Sequence, residues 1–225
     1  MGSIVSQGIV LSRTDFGEAD RIITVLTPDQ GRIRLIAKGV RKIKSKLAGG
    51  IELFSISDIT FIKGRGEIDT LVSSRLRTHF SKIVSDIDRT MFGYKVLKKI
   101  NKTVEDNAGR EYFDLLAVML DGLNHTDIGL EIIEIWFNCQ LLKLAGHSPN
   151  LSTDTAGVKL SPDNTYNFDL EKMAFVASPN GRYTPNHIKL LRLSFSLESP
   201  IQLANIKDVK DVLDSGSGLV KALDR

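Results

Sequence analysis

The chain has 225 residues, with 30 Lys/Arg against 27 Asp/Glu, 42% hydrophobic residues and one cysteine, Cys139. This is the composition of an ordinary globular protein, long enough for one large domain or two small ones. A single thiol excludes an internal disulfide framework and any cysteine-rich zinc cluster, and points to a reducing cytoplasm. The charge is unevenly spread. Residues 1–80 carry 13 Lys/Arg against 8 Asp/Glu, whereas residues 81–225 carry 17 against 19. That asymmetry predicts an anion-binding front and a more neutral back.

The best candidate for a membrane span is interrupted by Glu131, Glu134 and Lys143, so no membrane partner is expected. The N-terminus lacks the charged lead and long apolar run of a secretory signal. Met1–Ser6 fits the loose myristoylation pattern, but with no second membrane signal a starting strand is the expectation.

The first 80 residues read as strands. Ile4–Leu11 is rich in β-branched residues and leads into a polar loop, Arg13–Asp20, containing Gly17. Arg21–Leu26 is a second strand, and Thr27–Gly31 a turn into a third. By the two-residue period, Arg32, Arg34, Ile36 and Lys38 share one face of that strand, and Ile33, Leu35 and Ala37 the other. Gly39 breaks it, Val40–Lys46 is a loop or partly helical connector, and Ala48–Gly50 is a second break. Ile51–Ile62 is a long fourth strand, Lys63–Gly66 a tight turn, and Glu67–Leu76 a fifth strand. Five short strands with Gly-rich turns predict a small closed or half-closed barrel.

After residue 80 the period changes to three and four. Ile83, Ile87, Met91, Tyr94, Leu97 and Ile100 mark one face of a helix. Glu105–Arg110 interrupts it. Tyr112–Leu123 forms a second helix, and Ile128–Ala145 a third that stops at Gly146. The third is apolar on most sides, so it is expected at the centre of a bundle. Residues 148–186 are rich in Ser, Thr, Asn, Asp, Pro and Gly, and predict a loop-rich insertion with one irregular hairpin. Helical period returns over His187–Leu197 and again after Ile206, with a weak point at Ser215–Gly218.

The strongest functional signal is the stretch Arg32–Lys46. It holds Arg32, Arg34, Lys38, Arg41, Lys42, Lys44 and Lys46, and no acid occurs between Gln30 and Ile51. Like charges this dense repel, and a polyanion supplies the missing countercharge. The interleaved Ile33, Leu35, Ile36, Val40 and Ile43 indicate a folded scaffold rather than a solvated tail. Arg65, Arg75 and Arg77 extend the candidate track. Aromatics are sparse, with only Phe16, Phe54, Phe61 and Phe80 in the first 80 residues. Phosphate contacts are therefore expected to carry most of the affinity, without sequence readout.

Catalytic signatures are missing. There is no GxxxxGK[ST] loop, HExxH pair or GxSxG elbow. His79, His125, His147 and His187 lack metal-ligand spacing, and Cys139 sits among Trp136, Phe137, Leu141 and Leu142 as a structural thiol. Asp15, Glu18 and Asp20 cluster in the first loop. A divalent-metal hydrolase or nuclease built on them is a rival reading, against a plain polar hairpin. An RNA- or ribosome-associated binding module on the same barrel is another.

One ordered set of residues resembles a known family. It runs Gly8-Ile9-Val10-Leu11, Gly17-Glu18-Ala19-Asp20, Leu26-Thr27, Gly31, Ala37-Lys38-Gly39-Val40-Arg41-Lys42 and Ser45-Lys46-Leu47. In that order the pieces resemble the RecO family of recombination mediators over the first 50 residues. A weaker echo lies in LLKLAGHSPNL from Leu141. The resemblance implies an α+β protein: a five-stranded OB-fold barrel at 1–80, then a helical domain at 81–225. It also implies binding of single- and double-stranded DNA, annealing of complementary strands, and partnership with RecR. Contact with the tail of the single-strand binding protein, and indirectly with RecA, comes with it, as does a cytoplasmic, nucleoid-associated location. Many family members carry a four-cysteine zinc site opening with CxxCG. Here the aligned positions are Thr153 and Ala156 followed by Gly157. A zinc-free insertion, no cofactor and no catalytic residue are the resulting expectations.

Overall fold

The computed structural model describes residues 2–106 and 109–206, together with Leu213, Gly218 and Val220. The chain forms two compact units, Met1–His125 and Thr126–Arg225.

In the first unit, β1 (Ser3–Phe16), β2 (Asp20–Thr27), β3 (Gly31–Ala37), β4 (Ser55–Ile62) and β5 (Ile68–His79) close a barrel in the order β1-β2-β3-β5-β4. The β3–β5 pair is parallel and the others are antiparallel. This is the OB-fold arrangement. Its core includes Val10, Ile23, Val25, Ile33, Leu35, Ile59, Phe61 and Leu71. The expected alternation holds in β3, where Ile33, Leu35 and Ala37 are buried and Arg32, Arg34 and Ile36 are not.

Two strand ends differ from expectation. β1 continues through Arg13–Phe16, which pair with Ile23–Asp20 of β2, so the turn shrinks to Gly17–Ala19. Polar residues there mark a hairpin that outruns the core, not a loop. β4 starts at Ser55 rather than Ile51, because a 3-10 turn (Ala48–Gly50) precedes it and Phe54 sits at φ 55°. A phenylalanine in the left-handed region is held only where its surroundings over-determine it.

Those surroundings are α2. Helices α1 (Ser81–Val84), α2 (Ile87–Thr103) and α3 (Arg110–Asn124) follow the barrel. Asp86 caps α2 by accepting from the N–H groups of Asp88 and Arg89. The buried Arg89 guanidinium donates to the Leu123 carbonyl at 2.8 Å and ties α2 to α3. The buried face of α2 is Arg89, Gly93, Val96, Leu97 and Ile100. Ile87, Met91 and Tyr94, expected on that face, are instead exposed. Gly93 decides the rotation. It leaves room for the Phe54 ring, whose edge also meets Tyr94 with centroids 5.4 Å apart.

In the second unit, α4 (Leu130–Leu144) is buried over consecutive positions from Ile135 to Cys139, as a central helix requires. α5 (Pro185–Ser196) and α6 (Pro200–Ala204) pack on it. Trp136 Nε1 donates to the Leu197 carbonyl at 2.9 Å. The insertion is more ordered than one hairpin. β6 (Asn150–Asp154), β7 (Tyr166–Asp169) and β8 (Ala174–Ala177) form a sheet in the order β6-β8-β7. Phe175 is fully buried and meets Tyr166, Phe168 and Tyr183 edge to face, and Tyr183 in turn meets His187. The helical period expected after Ile206 and the Ser215–Gly218 weak point lie outside the described residues, apart from Leu213, Gly218 and Val220.

Two stability predictions follow from these joints. A Cβ added at Gly93 would stand 2.6 Å from Phe54 Cε1. Gly93→Ala is therefore expected to destabilise by about 1–3 kcal/mol, visible as a lower Tm in thermal unfolding. His187 Nδ1 accepts from the Thr184 N–H at 2.9 Å, and burial holds its pKa below the ordinary 6.5. A depressed folded pKa means the stabilisation is complete above pH 6.5 and declines as pH falls below it. Melting curves across that range should show this slope, and His187→Asn should remove it.

Candidate nucleic-acid interface

The basic stretch divides into two parts in the fold. Lys38, Arg41, Lys42, Lys44 and Lys46 lie in the connector from β3 to β4, all exposed. Arg32 and Arg34 lie on β3 itself.

The connector is built rather than loose. Gly39 takes φ 65°, which turns the chain off β3, and its N–H donates to Asp20 Oδ1 at 2.7 Å. The Arg41 N–H donates to the Ala19 carbonyl at 2.9 Å, fastening the connector to the β1–β2 turn. Lys42 N–H to Gly39 carbonyl (3.1 Å) and Ser45 N–H to Lys42 carbonyl (2.9 Å) close two successive turns. At the far end Ser74 Oγ of β5 donates to the Leu47 carbonyl at 2.9 Å. Val40 and Ile51 are buried in the barrel core, with Leu47 and Ala48 packed against it. Apolar anchors thus hold five cations together over one end of the barrel.

Acidic neighbours are few there. Arg41 pairs with Asp15 at 3.5 Å, which also pairs with Arg21 at 2.8 Å. The Arg21 hydrogen bond, aided by the charges of Arg21, Arg41 and Arg13, holds the Asp15 carboxyl below its ordinary pKa. Arg13 is taken by Glu52 at 2.8 Å. Lys38, Lys42, Lys44 and Lys46 make no ion pair among the described residues. Glu18 stands exposed on the turn between β1 and β2.

The remaining candidates are placed differently. Arg32 pairs with Asp106 at 3.1 Å and donates to the Asn101 carbonyl, which fastens the segment after α2 to β3. Arg34 lies 4.0 Å from Glu67. Both line a cleft of about 560 Å³ with Lys63, Glu67, Asp69 and Asp106. Lys63 pairs with the buried Asp69 at 3.5 Å. The three acids leave this cleft close to neutral. Arg65 is exposed in the β4–β5 turn, and Arg75 is exposed on β5. Arg77 pairs with Asp58 at 3.2 Å. The free positive charge is therefore concentrated in the connector, not along the face of β3.

Ile43, expected among the scaffold residues, is fully exposed, whereas Val40 is buried. The chain signals the difference only weakly, through the flanking Arg41-Lys42 and Lys44.

The alternative acidic site is largely committed elsewhere. Asp15 is held by two arginines and Asp20 by the Gly39 N–H. Among the described residues, no group of three or more His, Cys, Asp or Glu is placed to hold a metal. The insertion does not fit a zinc ion of the CxxCG kind either. Ala156 has no donor, Thr153 Oγ1 accepts from Asn150 Nδ2 at 2.8 Å, and Asp154 Oδ1 accepts from the N–H groups of Ala156 and Val158. A carboxylate organises the turn where thiolates would bind metal.

Comparison with known proteins agrees with this architecture. Residues 1–80 match the family model described as Recombination protein O N terminal, and residues 84–215 the one described as Recombination protein O C terminal. The chain belongs to the RecO family. A DNA repair protein RecO of Dehalococcoides mccartyi strain 195 is 35% identical over 147 residues, 65% of this chain and 57% of the relative. One from Rhodopirellula baltica is 37% identical over 146 residues, 63% of this chain and 53% of the relative. A third, from Dehalococcoides mccartyi strain CBDB1, is 31% identical over 195 residues, 83% of this chain and 76% of the relative. The chain thus spans little more than half the length of the first two RecO relatives. Among the described residues no helix is long and apolar enough to cross a membrane.

Cys139 is buried and burial pushes its thiol pKa up strongly, which suppresses the thiolate. It should resist a disulfide reagent at pH 8 in the native protein and titrate as one equivalent in guanidinium. Fast native labelling would contradict a structural role.

Proposed function

We propose that this RecO-family chain is a non-catalytic DNA-binding mediator of recombination and repair. It binds single- and double-stranded DNA through Lys38, Arg41, Lys42, Lys44 and Lys46, with Arg65 and Arg75 as outlying contacts. The single observation that carries this reading is the connector: five exposed cations over one barrel end, four of them without an acidic partner among the described residues. Lysine and arginine neutralise phosphates and release condensed counterions whatever the base sequence.

The family relationship extends the proposal. Neutralising two strands at once lowers the repulsion that slows their pairing, so annealing of complementary strands is the expected activity. RecR and the tail of the single-strand binding protein are the proposed partners, and assistance in loading RecA the proposed outcome. Arg32, Arg34 and Arg77 are assigned a supporting role, since each lies outside the connector and has an acid within 4.0 Å. The commitment of Asp15 and Asp20 to structural bonds supports a binding protein over a metal-dependent hydrolase.

The decisive experiment is the rate at which complementary oligonucleotides pair, with no nucleotide or metal added. The protein should accelerate it, and DNA should remain uncut when magnesium is present. An RNA oligonucleotide that outcompetes matched DNA would favour an RNA-binding module instead. Lys42→Glu with Lys44→Glu should weaken binding on all sequences alike. It should also reduce the salt slope by about 0.7 log units per lost contact on single strands. A salt slope equal to the parent's would remove these residues from the interface.

A further inference from the structure

The connector displays more than charge. Ile43 has a relative exposure of 105% and stands between Lys42 and Lys44. The hydrogen bond from Ser45 N–H to the Lys42 carbonyl places Ile43 at the first inner position of a closed turn. Its exposure is therefore set by a built backbone. A second exposed apolar side chain sits on the turn to which the connector is fastened. Phe16, 52% exposed, ends β1 immediately before Gly17, whose carbonyl accepts from the Arg41 guanidinium. Single exposed apolar residues are common on protein surfaces. Here one lies between two lysines of the connector, and the other precedes the glycine whose carbonyl Arg41 holds.

Phosphate binding alone does not call for either residue. An apolar side chain gains by leaving water, and the neighbouring lysines would hold a polyanion against it. The part of a nucleic-acid strand that is flat, apolar and available is an unstacked base. In a duplex that face is covered by its neighbours, and reaching it costs a few kcal/mol per step.

We propose that Ile43, with Phe16 on the turn that Arg41 fastens, is a base-contacting apolar wedge that makes the connector prefer single-stranded DNA over duplex. This rests on the connector being the DNA interface. The lysines supply affinity for either form through phosphates. The wedge adds an increment only where bases are unstacked, and it holds them apart from one another. Bases kept unstacked but uncovered on one edge are the form in which a complementary strand can pair.

The test compares wild type with Ile43→Ser and Phe16→Ser, using single-stranded oligonucleotides carrying 2-aminopurine, the same sequence with abasic sites, and the matched duplex. Both side chains are solvent-exposed, so the melting temperatures should match wild type and certify the fold. Wild type should raise 2-aminopurine emission on binding and prefer the strand with bases to the abasic one. Ile43→Ser should lose roughly fivefold in single-strand affinity, with the duplex affinity and the salt slope unchanged. The emission rise and the preference over abasic DNA should fall with it. Wild type that binds with a steep salt slope, but is matched by Ile43→Ser on all three ligands, overturns the wedge and leaves the phosphate interface standing. Wild type that binds none of them overturns the interface itself. Equal losses on duplex and single strand also overturn the wedge, because a phosphate-side disturbance would produce them.

Discussion

The mutual repulsion of Lys38, Arg41, Lys42, Lys44 and Lys46 is the constraint on which the rest of this molecule turns. Five cations within nine residues of chain would spread apart on a free loop. They stay together because the backbone beneath them is pinned from several directions. Val40 and Ile51 are sunk in the barrel core, the Ala19 carbonyl takes the Arg41 N–H, and Ser74 takes hold of Leu47. Burial of a few apolar side chains offsets the repulsion among these charges. A solvated charged loop shows no such anchoring, since nothing requires its charges to stay in place.

The same logic separates cations that support the fold from cations left to act. Arg32 closes onto Asp106 and Asn101, Arg13 onto Glu52, and Arg21 onto Asp15. Exposed ion pairs of this kind add little stability, typically below about 1 kcal/mol each. Their consequence is electrostatic: each cancels a charge that would otherwise join the field. What remains is unpaired positive charge densest in the connector, with Arg65 and Arg75 exposed elsewhere on the barrel. The cleft lined by Arg32, Arg34, Lys63 and three acids has far less net charge to offer an anion.

In the second unit an aromatic ladder does the work of holding the insertion. Phe175 meets Tyr166, Phe168 and Tyr183, and Asp154 ties the following turn by accepting from the Ala156 and Val158 N–H groups. Edge-to-face contacts of this kind contribute about 0.5–1.5 kcal/mol each beyond area burial. Short strands of four or five residues, unstable alone, are thereby held in one sheet.

The linear order of residues was enough to specify the strand-then-helix plan, the inward face of β3, the central place of α4, and the presence of a cation cluster. Each of these depends on local period, turn chemistry or composition, which a chain carries in its spelling. The late start of β4 and the exposed stripe of Ile87, Met91 and Tyr94 depended on partners distant in sequence, whereas β1 was lengthened by its own hairpin partner β2. Phe54 claims the space over Gly93, and no neighbour of either residue in the chain announces that meeting. The sorting of arginines into paired and free also waited on the fold. Arg32 and Asp106 are 74 residues apart and meet only when α2 returns to the barrel. Ile43 is the sharpest instance. Among basic residues it reads like Val40, yet one faces the core and the other the solvent, because the turn between them reverses the chain.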